Sequence, residues 1–375
     1  LIESVEEDEK MSTQKNQRED AAAQHSAAAS RFAGEETERA QVQPPGAVLM
    51  QLSLGSLVSQ AVHVAAKLGI ADLLASGAKS AEELARECGA HAPSLYRVLR
   101  ALAAVGVFAE REDGRFEQTP TSEPLRSDVP GSVRDAAIFM GEEWHWRVWG
   151  HTYHSVMTGE AVWERANGAP VFEFLASNPE AARIFDRAMT SMSKVAIAAV
   201  LEAYDFNGIE KIVDVAGGEG GVVTSILNSY PQLKGVLFDL GHVIENARRG
   251  IEAKGLGERC ELVAGDFFES VPAGADAYVM KHIIHDWDDA RATVILRNIA
   301  LSMRESGRVL LIESVITPTA ESNFGKILDI EMLTSPGGKE RTAEEYRDLF
   351  AGAGLRLTRI VATKSPYSVI EAVKA

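Results

Sequence analysis

From Gly208 to its end, the chain alternates short β-branched runs with helical stretches, and this rhythm restricts the possible folds more than anything else in it. The runs occupy 211–216, 236–239, 261–264, 277–280 and 309–315, with two more at 355–362 and 367–373. Strands separated by helices connect as βαβ units, so the pattern predicts an α/β domain with a mostly parallel sheet. The last two runs have no helix between them and should form a terminal β-hairpin. Open sheets of this kind bind ligands beyond the carboxyl ends of their strands, which is where the chemistry should lie.

The first run passes into Ala216-Gly217-Gly218-Glu219-Gly220-Gly221, and an apolar helix follows. Glycines at such a turn let the backbone approach a ligand and aim helix N–H groups at it, although tight packing alone would use them too. Asp239 closes the second run, at the distance where an acid accepts both hydroxyls of a ribose. That spacing serves a nicotinamide dinucleotide and S-adenosylmethionine equally. Charge separates them: Asp214 and Glu219 would repel a pyrophosphate and attract a cationic methionine moiety. The third run leads into Gly265-Asp266-Phe267-Phe268, an acid beside aromatics that suits an adenine. By itself Asp266 would read equally well as a turn cap.

The fourth run ends Met280-Lys281-His282-Ile283-Ile284-His285-Asp286-Trp287-Asp288-Asp289. Imidazoles and carboxylates suit a metal, but no third ligand is fixed by spacing and the two histidines need not converge. Asp286 and Asp288 are candidate N-caps for a helix starting near Ala290. His285 is the sharper candidate, a neutral base beside the crevice, and Lys281 would neutralise the acidic rim.

The first half of the chain has a different texture. Residues 1–45 are rich in Glu, Ser, Gln and Ala and lack an apolar period, which predicts a loosely ordered or disordered arm. From 46 to 126 apolar residues recur at helical spacing, Ser80 precedes a capped helix, and Ser94 is expected to cap the next. A Glu-Asp-Gly turn at 112–114 between two short runs completes helix, helix, helix and hairpin, a winged-helix pattern. Residues 127–200 are helical, with an aromatic cluster around Trp144, Trp149 and Trp163. Winged helices often bind DNA, but Arg86, Arg97 and Arg100 are cancelled by Glu82, Glu83 and Glu87. Lys+Arg 38 against Asp+Glu 54 leaves a net charge of −16, which also disfavours nucleic acid or an anionic membrane as partner. Two distant cysteines, Cys88 and Cys260, exclude a disulfide scaffold and a thiolate zinc site and fit a cytoplasmic protein. The apolar stretch after Gly46 is broken by polar residues, so no membrane span or signal peptide is expected.

From about residue 46 onward the chain resembles the S-adenosylmethionine-dependent small-molecule O-methyltransferases, the caffeate, flavonoid and polyketide-tailoring group. The resemblance rests on five motifs in order: Val213 to Gly218, Phe238 to Ile244, Gly265 to Phe268, Lys281 with His285-Asp286-Trp287, and Gly337-Gly338-Lys339-Glu340-Arg341-Thr342. It implies a Rossmann-like class I methyltransferase domain over 201–375, preceded by a mainly helical winged-helix dimerisation domain over 46–126. Residues 127–200 would contribute to the acceptor pocket. In that family the histidine of His-Asp-Trp deprotonates the acceptor hydroxyl, so the role falls on His285, framed by Glu313 and Glu340. Cofactor contacts fall on Asp214, Gly217, Gly218, Asp239, Leu240, Asp266, Phe267, Lys281, Trp287 and Ser193. An aromatic acceptor would meet Trp144, Trp149, Phe185, Met189, Met192 and Asp286, although Trp and Met at helical spacing equally suit a core. A homodimer through the N-terminal domain is implied, and no metal is required. Ala216 stands where the family usually has glycine and Gly241 where it usually has proline.

The resemblance also frames a chemical question. A phenol ionises near pH ~10 and a free imidazole near ~6.5, so the proton transfer runs uphill by roughly 5 kcal/mol. Carboxylates beside the imidazole would narrow that gap. The alternatives are a same-fold cofactor-binding enzyme with decarboxylation, hydroxylation or N-methylation chemistry, or a winged-helix DNA-binding regulator.

Overall fold

The structure is a computed structural model that describes residues 44–319, 321 and 323–375; the arm expected over 1–45 lies almost wholly outside them. The chain divides into two compact units, 1–57 and 58–375. The described part of the first unit belongs to the helix Pro45–Lys67, where Leu49, Met50, Leu52, Leu54 and Leu57 are exposed. By length and composition this is the one helix among the described residues able to cross a membrane.

In the second unit the winged-helix pattern is present. Ser80 opens the helix Ala81–Cys88 with a full capping box: its side chain accepts from Glu83 N, and Glu83 reaches back to Ser80 N. The next helix, Ala92–Ala104, starts earlier than expected, so Ser94 lies inside it and is not its cap. Pro93 is the reason, since proline fits the first helical turn, where no N–H partner is needed. Ser94 Oγ instead bonds the His91 ring at 2.9 Å. Strands β1 (Phe108–Glu110) and β2 (Phe116–Gln118) pair antiparallel as the wing. Helices between Arg134 and Ala203 follow, ending in the long Pro179–Ala203.

The α/β part is built on β3 (Lys211–Val215), β4 (Lys234–Asp239), β5 (Cys260–Ala264), β6 (Ala277–Lys281) and β7 (Arg308–Glu313). Ser314 ends β7, and β8 (Val315–Ile316) leaves the sheet to pair with β9 (Arg341–Thr342). The terminal hairpin, β10 (Leu355–Ala362) and β11 (Ser368–Lys374), is antiparallel and joins the sheet through β7. Strand order is β10-β11-β7-β6-β3-β4-β5, with β3 to β7 all parallel.

Alternate residues of each strand enter different cores, as a pleat with both faces covered requires. Ile212, Leu237, Val279, Leu310 and Ile312 join one cluster, whereas Val213, Val236, Tyr278, Val309 and Leu311 join the other. The order reverses direction at β3, which has β4 on one side and β6 on the other. That reversal is a topological switch point, where the connecting helices diverge and leave a crevice. Every acid or base singled out after a strand therefore lies along one edge.

Candidate active site

The glycine turn after β3 is held from below and from the side. Asp214, 1% exposed, accepts from Val223 N at 3.0 Å, the first turn of the helix Gly221–Ser229. A Cβ at Gly217 would come within 2.6 Å of the Asp214 carboxyl carbon, so only glycine fits there. Asp214 thus lies beneath the turn rather than on its surface. Burial pushes its carboxyl up to about 7, against the opposing pull of Val223 N–H and Lys281. Asp239 Oδ2 accepts from Gly218 N at 2.9 Å and Oδ1 from Leu240 N at 2.7 Å. Each oxygen keeps a second lone pair. Burial raises this carboxyl too, opposed by the same two N–H groups.

Ala216 has φ +55°, in the left-handed region where a Cβ is unfavourable. Its difference from the family's usual glycine is therefore backbone strain as well as an added methyl. A Cβ on Gly218 would meet nothing, and Leu240 is 49% exposed, so the rim of the crevice is open and partly apolar. Asp266 makes a turn with its side chain, accepting from Phe268 N at 2.8 Å. Phe267 packs near Phe268 and Trp287, while Asn298 Nδ2 holds the carbonyls of both phenylalanines at 2.9 Å. A polar cradle with acids for hydroxyls and an aromatic end fits a nucleoside cofactor. Ser193 Oγ bonds Met189 O within its own helix, at 2.5 Å.

Across the switch point, His285 lies on a short 3₁₀ turn, Ile284–Asp286, directly after β6. Its Nδ1 is 2.7 Å from Glu340 Oε1 and 3.5 Å from Glu313 Oε2, and its Nε2 is 3.6 Å from Asp286 Oδ1. A carboxylate only accepts, so Nδ1 carries a proton. Glu313, at the end of β7 and fully buried, accepts at Oε1 from Ile283 N and Ile284 N, both at 3.0 Å. The outer oxygens, Glu313 Oε2 and Glu340 Oε2, are buried without hydrogen-bond donors.

The second glutamate arrives with its whole motif. Lys339 N donates to His285 O at 2.9 Å, and a Cβ on Gly338 would overlap that same carbonyl, which explains the glycine. Buried Arg341 donates to Ile284 O at 3.1 Å, Trp287 O at 2.8 Å and Asp289 Oδ1 at 2.9 Å. Asp329 Oδ1 accepts from Glu340 N at 2.8 Å. Thr342 then opens the helix Ala343–Gly352 with a capping box. The His285 turn is therefore clamped on its backbone by one segment that also supplies the carboxylate.

Burial alone would lower the His285 imidazole; Glu313, Asp286 and Glu340 outweigh it and raise it to about 10. Burial pushes Glu313 up to about 7, with His285 opposing and Glu340 adding. His285, Glu313 and Glu340 place donor atoms within 4.8 Å of one another, a spread a cation could bridge. The Nδ1–Oε1 separation of 2.7 Å is instead that of a charge-assisted hydrogen bond, shorter than the ~3.4 Å between two donors on one tetrahedral zinc.

His282 stacks on His285 with ring centroids 5.4 Å apart, at φ +55°, and its Nδ1 takes Lys281 Nζ at 3.2 Å. Lys281 is thus tied to a histidine as well as facing the acids. Asp288, not Asp286, caps the helix Asp289–Ser302, accepting from Arg291 N at 2.8 Å. Asp286 is left to face His285.

The aromatic region is more filled than the sequence suggested. Phe185 and Met189 pack against the N-terminal helical core, and Trp144 packs against both that core and the cluster of Val148, Val162 and Trp163. Met192 lies half-buried on the same helix. Trp149 Nε1 donates to Glu331 Oε2 at 2.5 Å, and buried His145 Nε2 lies 3.0 Å from Glu331 Oε1. Glu331 and Asp329 carry no motif in the sequence: Asp329 acts on Glu340, and Glu331 on His145 and Trp149 from a distant part of the chain.

The family described as the O-methyltransferase domain matches residues 149–356, and the O-methyltransferase dimerisation domain matches 50–128. Phenazine O-methyltransferase PhzM of Lysobacter antibioticus is 44% identical over 337 residues, 90% of this chain and 98% of that protein. Phenazine-1-carboxylate N-methyltransferase of Pseudomonas aeruginosa is 35% identical over 87% of this chain and 97% of its own length. Among solved structures, LaPhzM superposes with a TM-score of 0.83 at 44% identity, covering 88% of this chain and all of that one. NcsB1 of neocarzinostatin biosynthesis, solved with S-adenosylmethionine and 2-hydroxy-5-methyl naphthoic acid, gives 0.73 at 35% identity, covering 84% and 96%.

Proposed function

The chain belongs to the S-adenosylmethionine-dependent O-methyltransferases, and we propose that it methylates a phenolic hydroxyl of an aromatic secondary metabolite, with His285 holding the acceptor's proton site. Methylation of an aromatic secondary-metabolite acceptor from S-adenosylmethionine is what this family does; the hydroxyl and the residues that act on it are our reading. The observation that carries it is His285 with its Nδ1 fixed on Glu340 and its Nε2 left without a hydrogen bond.

When bound, S-adenosylmethionine supplies a methyl on a sulfonium, already activated for displacement. The glycine turn, Asp239, Leu240 and Phe267 would hold its nucleoside and Lys281 and Asp214 would lie nearest the charged end. What the protein must add is alignment and exclusion of water. Glu340 fixes the ring plane and the tautomer of His285, so that Nε2 faces the acceptor oxygen. Glu313, fastened by two backbone N–H groups, and Glu340 stabilise positive charge on the ring. The ~5 kcal/mol gap expected for a free imidazole and a phenol closes when the imidazole is raised to about 10. Two charged groups developing or persisting side by side are then matched in proton affinity.

Supporting the dimer reading, the matched dimerisation domain includes most of the helix Pro45–Lys67, whose exposed leucines would be covered by a second copy. The N-methyltransferase relative keeps a second reading in view, in which the acceptor atom is nitrogen. Incubation with S-adenosylmethionine and matched aromatic phenols and amines, read by mass and fragmentation, separates the two. A methyl ether is the expected product; methylation confined to amines would replace the hydroxyl reading.

A further inference from the structure

The helix Phe324–Thr334 carries two carboxylates that face opposite ways. Asp329 and Glu331 are two residues apart, which on a helix is ~200° of rotation. Asp329 Oδ1 accepts from Glu340 N at 2.8 Å, and Gly337 N and Lys339 N continue the same support, bonding Met332 O and His285 O at 2.9 Å each. One side of the helix therefore holds the backbone of Glu340 and, through it, the His285 turn.

The other side holds the aromatic region. Glu331 Oε2 accepts from Trp149 Nε1 at 2.5 Å, while Oε1 accepts from Ser335 Oγ at 2.7 Å and faces His145 Nε2 at 3.0 Å. His145 and Trp149 are four residues apart on the helix Glu143–Trp149, so one carboxylate spans two side chains of a single face. The His145 ring is fully buried, with Nδ1 on Met140 O at 3.3 Å and the Phe139 ring 4.2 Å away between centroids. Phe139 in turn meets Trp144 and Phe185. Burial would raise the Glu331 carboxyl; the bonds from His145, Ser335 and Trp149 outweigh it and hold it below the usual carboxylate value. Apolar packing between two helices is non-directional and needs no charge. Hydrogen bonds are directional, and those to Glu331 fix the planes of both rings. Trp149 is only half-buried, so part of its indole stays uncovered.

We propose that Glu331 is a positioning residue for the acceptor: it sets the indole of Trp149 as a fixed wall of the acceptor pocket, on the same helix that holds Glu340 in place. Resting on the aromatic-acceptor reading above, the inference holds whether oxygen or nitrogen takes the methyl. The helix Phe324–Thr334 is then a two-sided bracket, with Asp329 serving the methyl-transfer step and Glu331 serving acceptor binding. An acceptor stacked on Trp149 is held at a set offset from His285, because wall and base are mounted on one rigid element.

The test uses the full-length enzyme and whichever phenol or amine of the panel above it methylates fastest. Glu331→Met keeps the length of the side chain and removes both acceptor oxygens; the acceptor KM should rise about tenfold or more, with kcat within about threefold. Glu331→Gln can still accept from Trp149 Nε1, and its amide can donate to an unprotonated His145 Nε2, so KM should stay within about threefold of the parent. Asp329→Ala should do the reverse, lowering kcat about tenfold with KM little changed. Glu331→Met combined with Trp149→Phe should lose no more than Glu331→Met alone, since both remove one interaction. A rise in KM shared by Glu331→Gln, additive losses in the double variant, or the same kinetic change from Asp329→Ala and Glu331→Met overturns the proposal. So does a fall in Tm with KM and kcat unchanged, which is what helix packing alone would give.

The indole N–H of Trp149 gives a second readout, by nitrogen-15 NMR of tryptophan-labelled enzyme bound to S-adenosylhomocysteine. The chain has five tryptophans, and the Trp149 signal is the one lost in Trp149→Phe. It should lie downfield in the parent and in Glu331→Gln and move upfield in Glu331→Met; a signal unmoved by Glu331→Met overturns the proposal. The spectrum needs no acceptor, and an amine serves the kinetics as well as a phenol. Failure of this proposal is therefore distinguishable from failure of the hydroxyl reading, which would appear as methylation confined to amines.

Discussion

Replacing Glu340 with glutamine keeps the shape of the site and removes one charge from it. The amide oxygen in the Oε1 place would still accept from His285 Nδ1, at what is now 2.7 Å. A hydrogen bond to a charged group contributes ~1.5–3 kcal/mol and a neutral one ~1, so the imidazolium loses about 0.5–2 kcal/mol of support. At 1.36 kcal/mol per decade this predicts a fall in kcat/KM of about 2- to 30-fold for an ordinary phenol. The amide nitrogen takes the Oε2 place, where the carboxylate oxygen had no partner, and a buried donor left unpaired costs ~1–3 kcal/mol of stability. Glu340 makes no bond to the glycine turn or to Asp239, so affinity for S-adenosylhomocysteine should stay within twofold. Steady-state kinetics by mass detection, with calorimetric titration of S-adenosylhomocysteine, read the two quantities separately. Retention of more than half the activity, or equal loss of product affinity, would refute the assignment of Glu340 to the imidazole.

Three further outcomes follow from the same structure. Ala216→Gly removes both a methyl and a left-handed strain at φ +55°, so the dissociation constant for S-adenosylhomocysteine should fall, with stability shifted by less than ~1 kcal/mol; a weaker complex would contradict the strain argument. Gly241→Pro places proline at the first position of the helix Gly241–Ala253, where a Cβ would come no nearer than 4.0 Å to Ala264, and should raise stability by ~0.4–1 kcal/mol in thermal unfolding. Asp214 has a folded pKa of about 7, above its unfolded value of 3.8, so the native state binds the extra proton and stability from this group falls as pH rises from about 4 through 7. Asp214→Asn should lack that slope and gain Tm relative to the parent at pH 8 but not at pH 4; equal differences at both pH values would show that the burial of Asp214 is not what raises it.

Local signals in the chain were enough for the sheet and for the residues at its edge. Runs of β-branched residues marked each parallel strand, because a strand covered on both faces needs apolar residues at every position. Acids and a histidine stood out since they interrupt apolar runs at strand ends, where only a ligand or a cap calls for them. The helix at Ala92 was misplaced because Ser94 looked like a cap, while Pro93 quietly favoured an earlier start. The supports of the site were not legible: Asp329 beneath Glu340, Glu331 between His145 and Trp149, and the left-handed His282 act through residues distant in sequence or through backbone geometry. Phe185 and Met189 illustrate the same limit from the other side, since spacing alone does not tell a pocket wall from a helix core, and both pack on the core.

The most direct measurement on the central claim is methyl transfer by His285→Ala beside its binding of S-adenosylhomocysteine. His285 is 6% exposed, and among the described residues its side chain hydrogen-bonds only to Glu340, with no contact to the glycine turn or Asp239. Turnover with an unactivated phenol should therefore fall by ~10³-fold or more, with S-adenosylhomocysteine affinity within about twofold of the parent enzyme. Turnover retained within tenfold, with the protein folded, would contradict the assignment of the acceptor's proton site to His285.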